Sequence, residues 1–336
     1  MKFGSIGPIA IHLPELVEDN DLLAQRNPRW DMELIAKKTG VRKRHIAAEG
    51  ECASDLGVAA AEKLFAQSGI DRGSVDFLLF CTQTPDVALP TTACLMQDRL
   101  GLPTTVGALD FNLGCSGFVY GLALADGLIQ SGAARRILFI TAETYSKYID
   151  PEDRALRPIF GDGAAATLIE AADEPSLGPF VFGTDGGGAG ALMLTEGGLR
   201  PPDAALQPTR RKRWPSVLFM DGPALVKFTV EVVPPLVDQL LDAAKLDRAD
   251  VDLYLVHQAT TFMTEHLRDR LHVTPEKMPE ALENCGNTVS STLPLLIHDL
   301  RQKGVLRPGM RTLQIGFGVG LSWGGCAWTE TYGNDE

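Results

Sequence analysis

Two widely separated stretches of this chain read almost as one. "IDRGSVDFLLFCTQT" begins at Ile70 and "LDRADVDLYLVHQAT" at Leu246, and each gives a helix end, a Val-Asp turn and an apolar run of strand length. An element used twice restricts the chain to a fold with two like halves. The correspondence continues: Cys115 to Gly132 has the same length as Asn287 to Gly304, and each stretch leads into a basic turn and a strand, "RRILFI" and "MRTLQI". "FGDGAAA" from Phe160 is likewise answered by "FGVGLSWGG" from Phe317. The reading is therefore two halves, residues 1–170 and 171–336, with Cys115 and Asn287 at equivalent helix starts and His257 at a strand end in the second half.

Strand-like runs ("FLLFCT", "RILFIT", "LYLVHQ") alternate with helical patterns ("DLGVAAAEKLFAQSG", "LVKFTVEVVPPLVDQLLDAAK"), which predicts an α/β fold with buried strands. The segment "GFVYGLALADGLIQSG" after Cys115 is apolar around most of its circumference, so it is expected inside the molecule, with Gly132 closing it.

At 336 residues and 45% hydrophobic the chain can bury a large core, while a net charge of -12 argues against a nucleic-acid surface. The one basic run, Arg210-Arg211-Lys212-Arg213, reads as a solvated loop, with docking of an acidic carrier or a phosphate as the alternative. The first twenty residues carry Pro8, Pro14 and acids rather than a basic start and an apolar core, so no signal peptide is expected, and no run reaches membrane-spanning length. Six cysteines show neither a CxxC nor paired metal-ligand spacing. These features predict a reduced, cytoplasmic enzyme without a metal or a membrane contact.

A thiol at the start of a buried helix lies at the positive end of the helix dipole, so the pKa of Cys115 is expected to fall below about 8.5. Gly114 and Gly117 fit a tight turn that leaves room for a substrate, although small residues there also simply permit close packing. Taken alone, His257 reads as a hydrogen-bonded core residue and Asn287 as a helix N-cap. Together the three residues supply a nucleophile and two hydrogen-bond donors. "GDGAAA" from Gly161 matches a dinucleotide pattern only weakly, because no acid is placed after a second strand, and "DGGGAGALML" from Asp185 reads as turn chemistry.

In order, "FNLGCSGFVYGL", "LVHQAT", "NCGNTVSSTLP" and "GFGVGLSWGG" resemble the β-ketoacyl-acyl-carrier-protein synthase III family of the thiolase superfamily. The resemblance spans nearly the whole chain, including "LIAKKTGVRKRHI" and "FMDGPALVKFTVEVVP". It implies a five-layered αβαβα thiolase fold and a homodimer. Coenzyme A or phosphopantetheine thioesters would be substrates, with acyl-coenzyme A or acyl carrier protein as partners and no resident cofactor.

By the same resemblance Cys115 would hold the acyl group, the backbone N–H groups of Cys115 and Val319 would form the oxyanion hole, and His257 and Asn287 would stabilise the enolate left by a decarboxylating malonyl thioester. Phe317 would shield the donor carboxylate, and Leu89 would close the partner's acyl pocket, its other reading being a core leucine. Lys38, Arg154 and Lys227 match basic positions that meet the donor's phosphates or carrier.

Several positions depart from the family pattern. Leu34 stands where an adenine-stacking Trp is common and Lys38 where an Arg is usual, while Thr260, Phe262 and Pro223 replace an Asn, an Arg and an Asn. Catalysis is thus expected intact and donor recognition remodelled, as in a specialised paralogue. The alternatives are transfer of the acyl group to an alcohol or amine with His257 as base, an acyl-thioester binder without turnover, and a Cys-His hydrolase.

Overall fold

The computed structural model describes residues 1–199, 208–209 and 217–333. In the first half the strands are β1 (Phe3–His12), β2 (Leu16–Asp19), β3 (Lys43–Ile46), β4 (Phe77–Cys81), β5 (Gly107–Phe111), β6 (Arg136–Glu143) and β7 (Gly163–Ala172). The helices there are α1 (Asn20–Arg26), α2 (Met32–Thr39), α3 (Ala53–Ser68), α4 (Thr92–Arg99) and α5 (Gly117–Gln130). The second half has β8 (Leu177–Thr184), β9 (Leu192–Leu194), β10 (Leu218–Met220), β11 (Leu253–Val256), β12 (Arg311–Gly318) and β13 (Ser322–Thr329), with α6 (Gly222–Ala244), α7 (Thr261–Leu271) and α8 (Thr292–Gln302).

The repeat read in the sequence is a repeat of sheet topology. One sheet runs β1-β7-β6-β4-β5 and the other β8-β13-β12-β11, and in both the order of pairings is antiparallel, antiparallel, parallel. The halves differ in one place, since nothing among the described residues adds a fifth strand beside β11. There Tyr254 N–H donates to Lys277 O at 2.7 Å while the chain passes by without a ladder. The turn between the two sheets falls at residues 173–176.

Alternation along each strand assigns its two faces to two different cores, because successive side chains point to opposite sides. On β4, Leu79 and Cys81 face the space between the sheets while Leu78 and Phe80 face α3 and α4. On β11, Leu253 and Leu255 face inward while Tyr254 and Val256 meet α6 and α7. The middle core is filled by α5 and α8, with Phe118, Leu122, Leu296 and Ile297 packed against both sheets. Helix, sheet, helix, sheet, helix is the five-layered thiolase arrangement, and the first half of α8, Thr292–Ile297, is buried all round because it has a sheet on each flank.

The sequence places α5 wholly inside, and here the structure differs. Leu124, Gly127 and Gln130 are exposed, because α5 lies at the open side of the middle layer. Its inner face comes unusually close to β6. A Cβ on Gly121 would lie 2.1 Å from the ring of Phe139, a ring itself stacked between Phe111 and Phe118 and unable to swing away. No helix among the described residues is long and apolar enough to cross a membrane.

Gly121→Ala should therefore destabilise the protein by about 1–3 kcal/mol, overpacking outweighing the smaller gain in helix propensity. Denaturant titration checks this, and an unchanged or raised midpoint would contradict the packing described.

Candidate active site

Cys115 occupies the turn between β5 and α5, one residue before the N-cap Ser116, and is buried. Four glycines make its setting possible by lacking side chains. A Cβ on Gly114 would meet Gln83 Oε1, one on Gly117 would meet Cys81 Sγ, and those on Gly316 and Gly318 would strike the backbone of Ser116 and the side chain of Cys115. The end of β12 thus lies directly against the nucleophile's turn. Ser116 and Ser322 hydroxyls tie the two halves together at 2.7 Å.

Burial pushes the Cys115 thiol up to about 12, against the hydrogen bonds from the backbone N–H groups of Val319 and of Cys115 itself. The lowered pKa expected from the helix start is overturned, because enclosure in the core outweighs the backbone donors. At neutral pH the resting sulfur is a thiol. The backbone N–H groups of Cys115 and Val319, the pair expected from the resemblance, are turned toward the sulfur.

His257 follows the last residue of β11, and its N–H donates to Ile315 O at 2.8 Å, which fixes it beside β12. Its ring is fully enclosed, and burial pushes its pKa down to about 3, so the imidazole is neutral at pH 7. Nδ1 lies 2.7 Å from Thr292 Oγ1, and Thr292 Oγ1 is also 3.1 Å from Val289 O. Nε2 has no protein hydrogen-bond partner among the described residues.

Asn287 is not the cap of α8, a place taken by Ser291. A 3₁₀ turn over Val289–Ser291 intervenes between Asn287 and the helix. Asn287 backbone is held in a parallel bridge to Phe160, with Asn287 N–H donating to Ile159 O at 2.9 Å and Gly161 N–H to Asn287 O at 3.1 Å. Its Oδ1 accepts Val289 N–H at 2.8 Å, so the amide NH₂ is the end left for a substrate. Val289 itself has φ 57°, a left-handed conformation that costs a β-branched residue about 1–3 kcal/mol. Through that turn its N–H orients Asn287 and its carbonyl meets Thr292, the neighbour of His257.

Cys115, His257, Asn287 and Phe317 line one largely apolar cavity, with the Phe317 ring edge-on to His257 at 5.6 Å. Thr260 lines it as well. Leu89, Lys38, Arg154 and Lys227 do not; all four are exposed, and Leu89, 87% exposed, is no core residue. Lys227 nonetheless adjoins the lining residues Val226 and Phe228, and Gly40 at the end of α2, two residues after Lys38, abuts Thr261 beside Thr260. The basic run at 210–213 lies outside the described residues.

"GDGAAA" enters a strand, β7, rather than a helix, and Asp162 accepts from Ala47 N and from Ser146 N and Oγ, so this stretch is structural. "DGGGAGA" is turn chemistry as read, with Asp185 accepting from Gly187 N at 2.9 Å. Sequence reasoning missed Thr292, Val289 and Glu143. Glu143 ends β6 fully buried, is pushed up to about 8 by burial, and accepts from Gln83 N and Ser290 Oγ. A glutamate closing the apolar run "RILFITAE" was the available signal.

Comparison with known proteins follows the same lines. Residues 109–186 match the family of 3-oxoacyl-[acyl-carrier-protein] synthase III, and residues 241–329 match its C-terminal region. The chain is 37% identical over 300 residues to β-ketoacyl-[acyl-carrier-protein] synthase III 3 of Streptomyces coelicolor, covering 88% of each. It is similar to a solved 3-oxoacyl-(acyl-carrier-protein) synthase III at 48% identity and TM-score 0.92, covering 97% of this chain and 99% of that one. It is similar also to the 3-oxoacyl-(acyl-carrier-protein) synthase of Burkholderia xenovorans at 36% identity and TM-score 0.92, covering 98% and 95%. Matched in both halves by the family's models and along nearly its whole length by these relatives, the chain belongs to the 3-oxoacyl-[acyl-carrier-protein] synthase III family of condensing enzymes.

Proposed function

We propose that Cys115 takes the acyl group from a coenzyme A or phosphopantetheine thioester and that a malonyl-type thioester is then condensed onto it. The observation that carries this reading is the shared cavity of Cys115, His257, Asn287 and Phe317, with both donors oriented through residues 289–292. In the first step the sulfur bonds the acyl carbon, the thiol proton leaves with the departing thiol, and the N–H groups of Cys115 and Val319 hold the oxyanion.

In the second step the amide NH₂ of Asn287 and Nε2–H of His257 donate to the malonyl thioester carbonyl. Carbon dioxide leaves, negative charge settles on that oxygen, and the carbanion attacks the acyl carbon, expelling Cys115 as a thiolate that regains a proton. For Nε2 to carry the hydrogen, Nδ1 must accept one from the Thr292 hydroxyl at 2.7 Å, which requires that hydroxyl to turn from Val289 O, to which it donates at 3.1 Å in the resting site. A neutral imidazole suits this role, since it donates without titrating near neutral pH. Phe317 keeps water from the carboxylate, which favours its loss. Plain transfer to an alcohol or amine is not favoured, as it leaves the oriented Asn287 amide without a task.

Lys38, Arg154 and Lys227 are the residues we assign to the donor's phosphates or an acidic carrier. Leu34, exposed near Lys38, and Phe262, exposed beside Met263 of the cavity, make that surface more apolar and support a specialised donor. We also propose a homodimer. β5 is a free edge of its sheet, with Leu109 exposed on it, and the neighbouring Leu124 and Phe182 are exposed around an apolar concavity. Such a surface is stable in water when covered by a second copy. Exposed Leu89 fits the same assembly, and six free cysteines support a reducing, cytoplasmic setting.

Three outcomes are expected. His257→Ala and Asn287→Ala should still gain acyl mass on Cys115 yet lose malonyl decarboxylation by about a hundredfold or more; normal carbon dioxide release from either variant would refute the assigned roles. Alkylation of Cys115 by iodoacetamide should rise about tenfold per pH unit across the range of roughly 7 to 10, since the thiol lies at about 12, and a plateau near pH 8.5 would contradict this. Leu109→Arg should convert a dimer to monomer in light scattering; a wild type that is monomeric at micromolar concentration would remove the dimer.

A further inference from the structure

Glu143 is fully buried near Cys115, and neither step of the condensation uses it. By alternation along β6 it shares a face with Ile137, Phe139 and Thr141, so two apolar residues of the middle core are followed by two polar ones at the strand's end. Both polar residues reach into the second half of the chain. Thr141 Oγ1 lies 2.9 Å from Ser291 Oγ, and Glu143 Oε1 accepts from Ser290 Oγ at 2.9 Å. The same carboxyl accepts Gln83 N–H at 3.0 Å and Thr84 Oγ1 at 3.2 Å from the loop after β4. All of these donors are neutral, so the carboxyl bridges two loops and is not half of an ion pair.

The turn it holds is the one that orients both donors of the site. Val289 N–H bonds Asn287 Oδ1, and Val289 O is met by the Thr292 hydroxyl beside His257. Those bonds lie within residues 287–292 and fix the shape of the turn, while its place has to come from outside. The backbone of Asn287 is tied to Phe160, and the residues after it are tied to β6 through Ser290 and Ser291. The turn also abuts the nucleophile's own turn: a Cβ on Gly114 would lie 3.0 Å from Val289 Cγ1, and one on Gly117 3.8 Å from Ser290 Cβ. A left-handed β-branched residue persists only where its surroundings impose it. An apolar side chain at position 143 would fill the same space without bonding Ser290.

We propose that Glu143 is a positioning residue for the condensation step: through Ser290 it holds the 289–292 turn, and with it the Asn287 amide and the Thr292 hydroxyl beside His257, in place against Cys115. This rests on the decarboxylative condensation proposed above. Loading of Cys115 needs only the sulfur and the N–H groups of Cys115 and Val319, so loss of the Glu143–Ser290 bond falls on the second step alone. Burial pushes the Glu143 carboxyl up to about 8, so at neutral pH it is mostly the neutral acid, of which glutamine is a close copy.

The test separates the two steps. Loading is read as intact mass on Cys115 after acetyl-, butyryl- or octanoyl-coenzyme A, and condensation as carbon dioxide released from malonyl-coenzyme A and from malonyl-acyl carrier protein. Ser290→Ala and Glu143→Leu should load within about threefold of the wild-type rate, while their carbon dioxide release falls about ten- to hundredfold. Glu143→Gln, which still offers an oxygen to Ser290, should release carbon dioxide within about threefold of wild type. Wild-type release from Ser290→Ala overturns the proposal, as do folded variants in which loading and release fall by the same factor, or a Glu143→Gln as impaired as Glu143→Leu. If Glu143→Leu does not fold, Ser290→Ala and Glu143→Gln decide. A wild type that loads an acyl group but releases no carbon dioxide would instead overturn the condensation on which the proposal rests.

Discussion

The structure depends on backbone meeting backbone at Cys115. Gly316 and Gly318 bring β12 so close to the Cys115–Ser116 turn that no side chain fits between them. That contact joins the first half's nucleophile to the second half's Val319 N–H, and it can form only if α5 and α8 lie in one layer between the sheets. The tight packing around Gly117 and Gly121 serves the same end. Any widening of the middle layer would separate the sulfur from its backbone donor before it unfolded the protein.

Burial has opposite consequences for the two titratable members of the site, and both fit one chemistry. It holds the Cys115 thiol protonated and the His257 imidazole unprotonated, so the resting site carries no charge in an apolar cavity. An uncharged site takes up a thioester without having to strip water from ions, and charge develops only where fixed N–H groups meet it. Local strain supports this order. Val289 is held left-handed by bonds at both of its peptide groups, and those bonds orient Asn287 and the hydroxyl beside His257.

The glycines around Cys115 have different purposes. Gly318 makes room for the sulfur, Gly117 for Cys81, and Gly114 for Gln83. Leu34 and Phe262 are exposed and lie outside this packed centre.

The sequence by itself showed the duplication and brought Cys115, His257 and Asn287 forward as candidates, through strand alternation, helix length, and a cysteine and an asparagine at matching distances from Gly132 and Gly304, whereas the layer order came from the family resemblance. Val319 enters the expected site only through that resemblance. Only the tertiary structure decided the ionisation of the site, since a helix start suggests a lowered thiol pKa while the enclosure that reverses it comes from residues far along the chain. The same holds for Thr292, Val289 and Glu143. Each is ordinary in its own segment and acquires its role from a partner in another element, a relation that periodicity and spacing do not record.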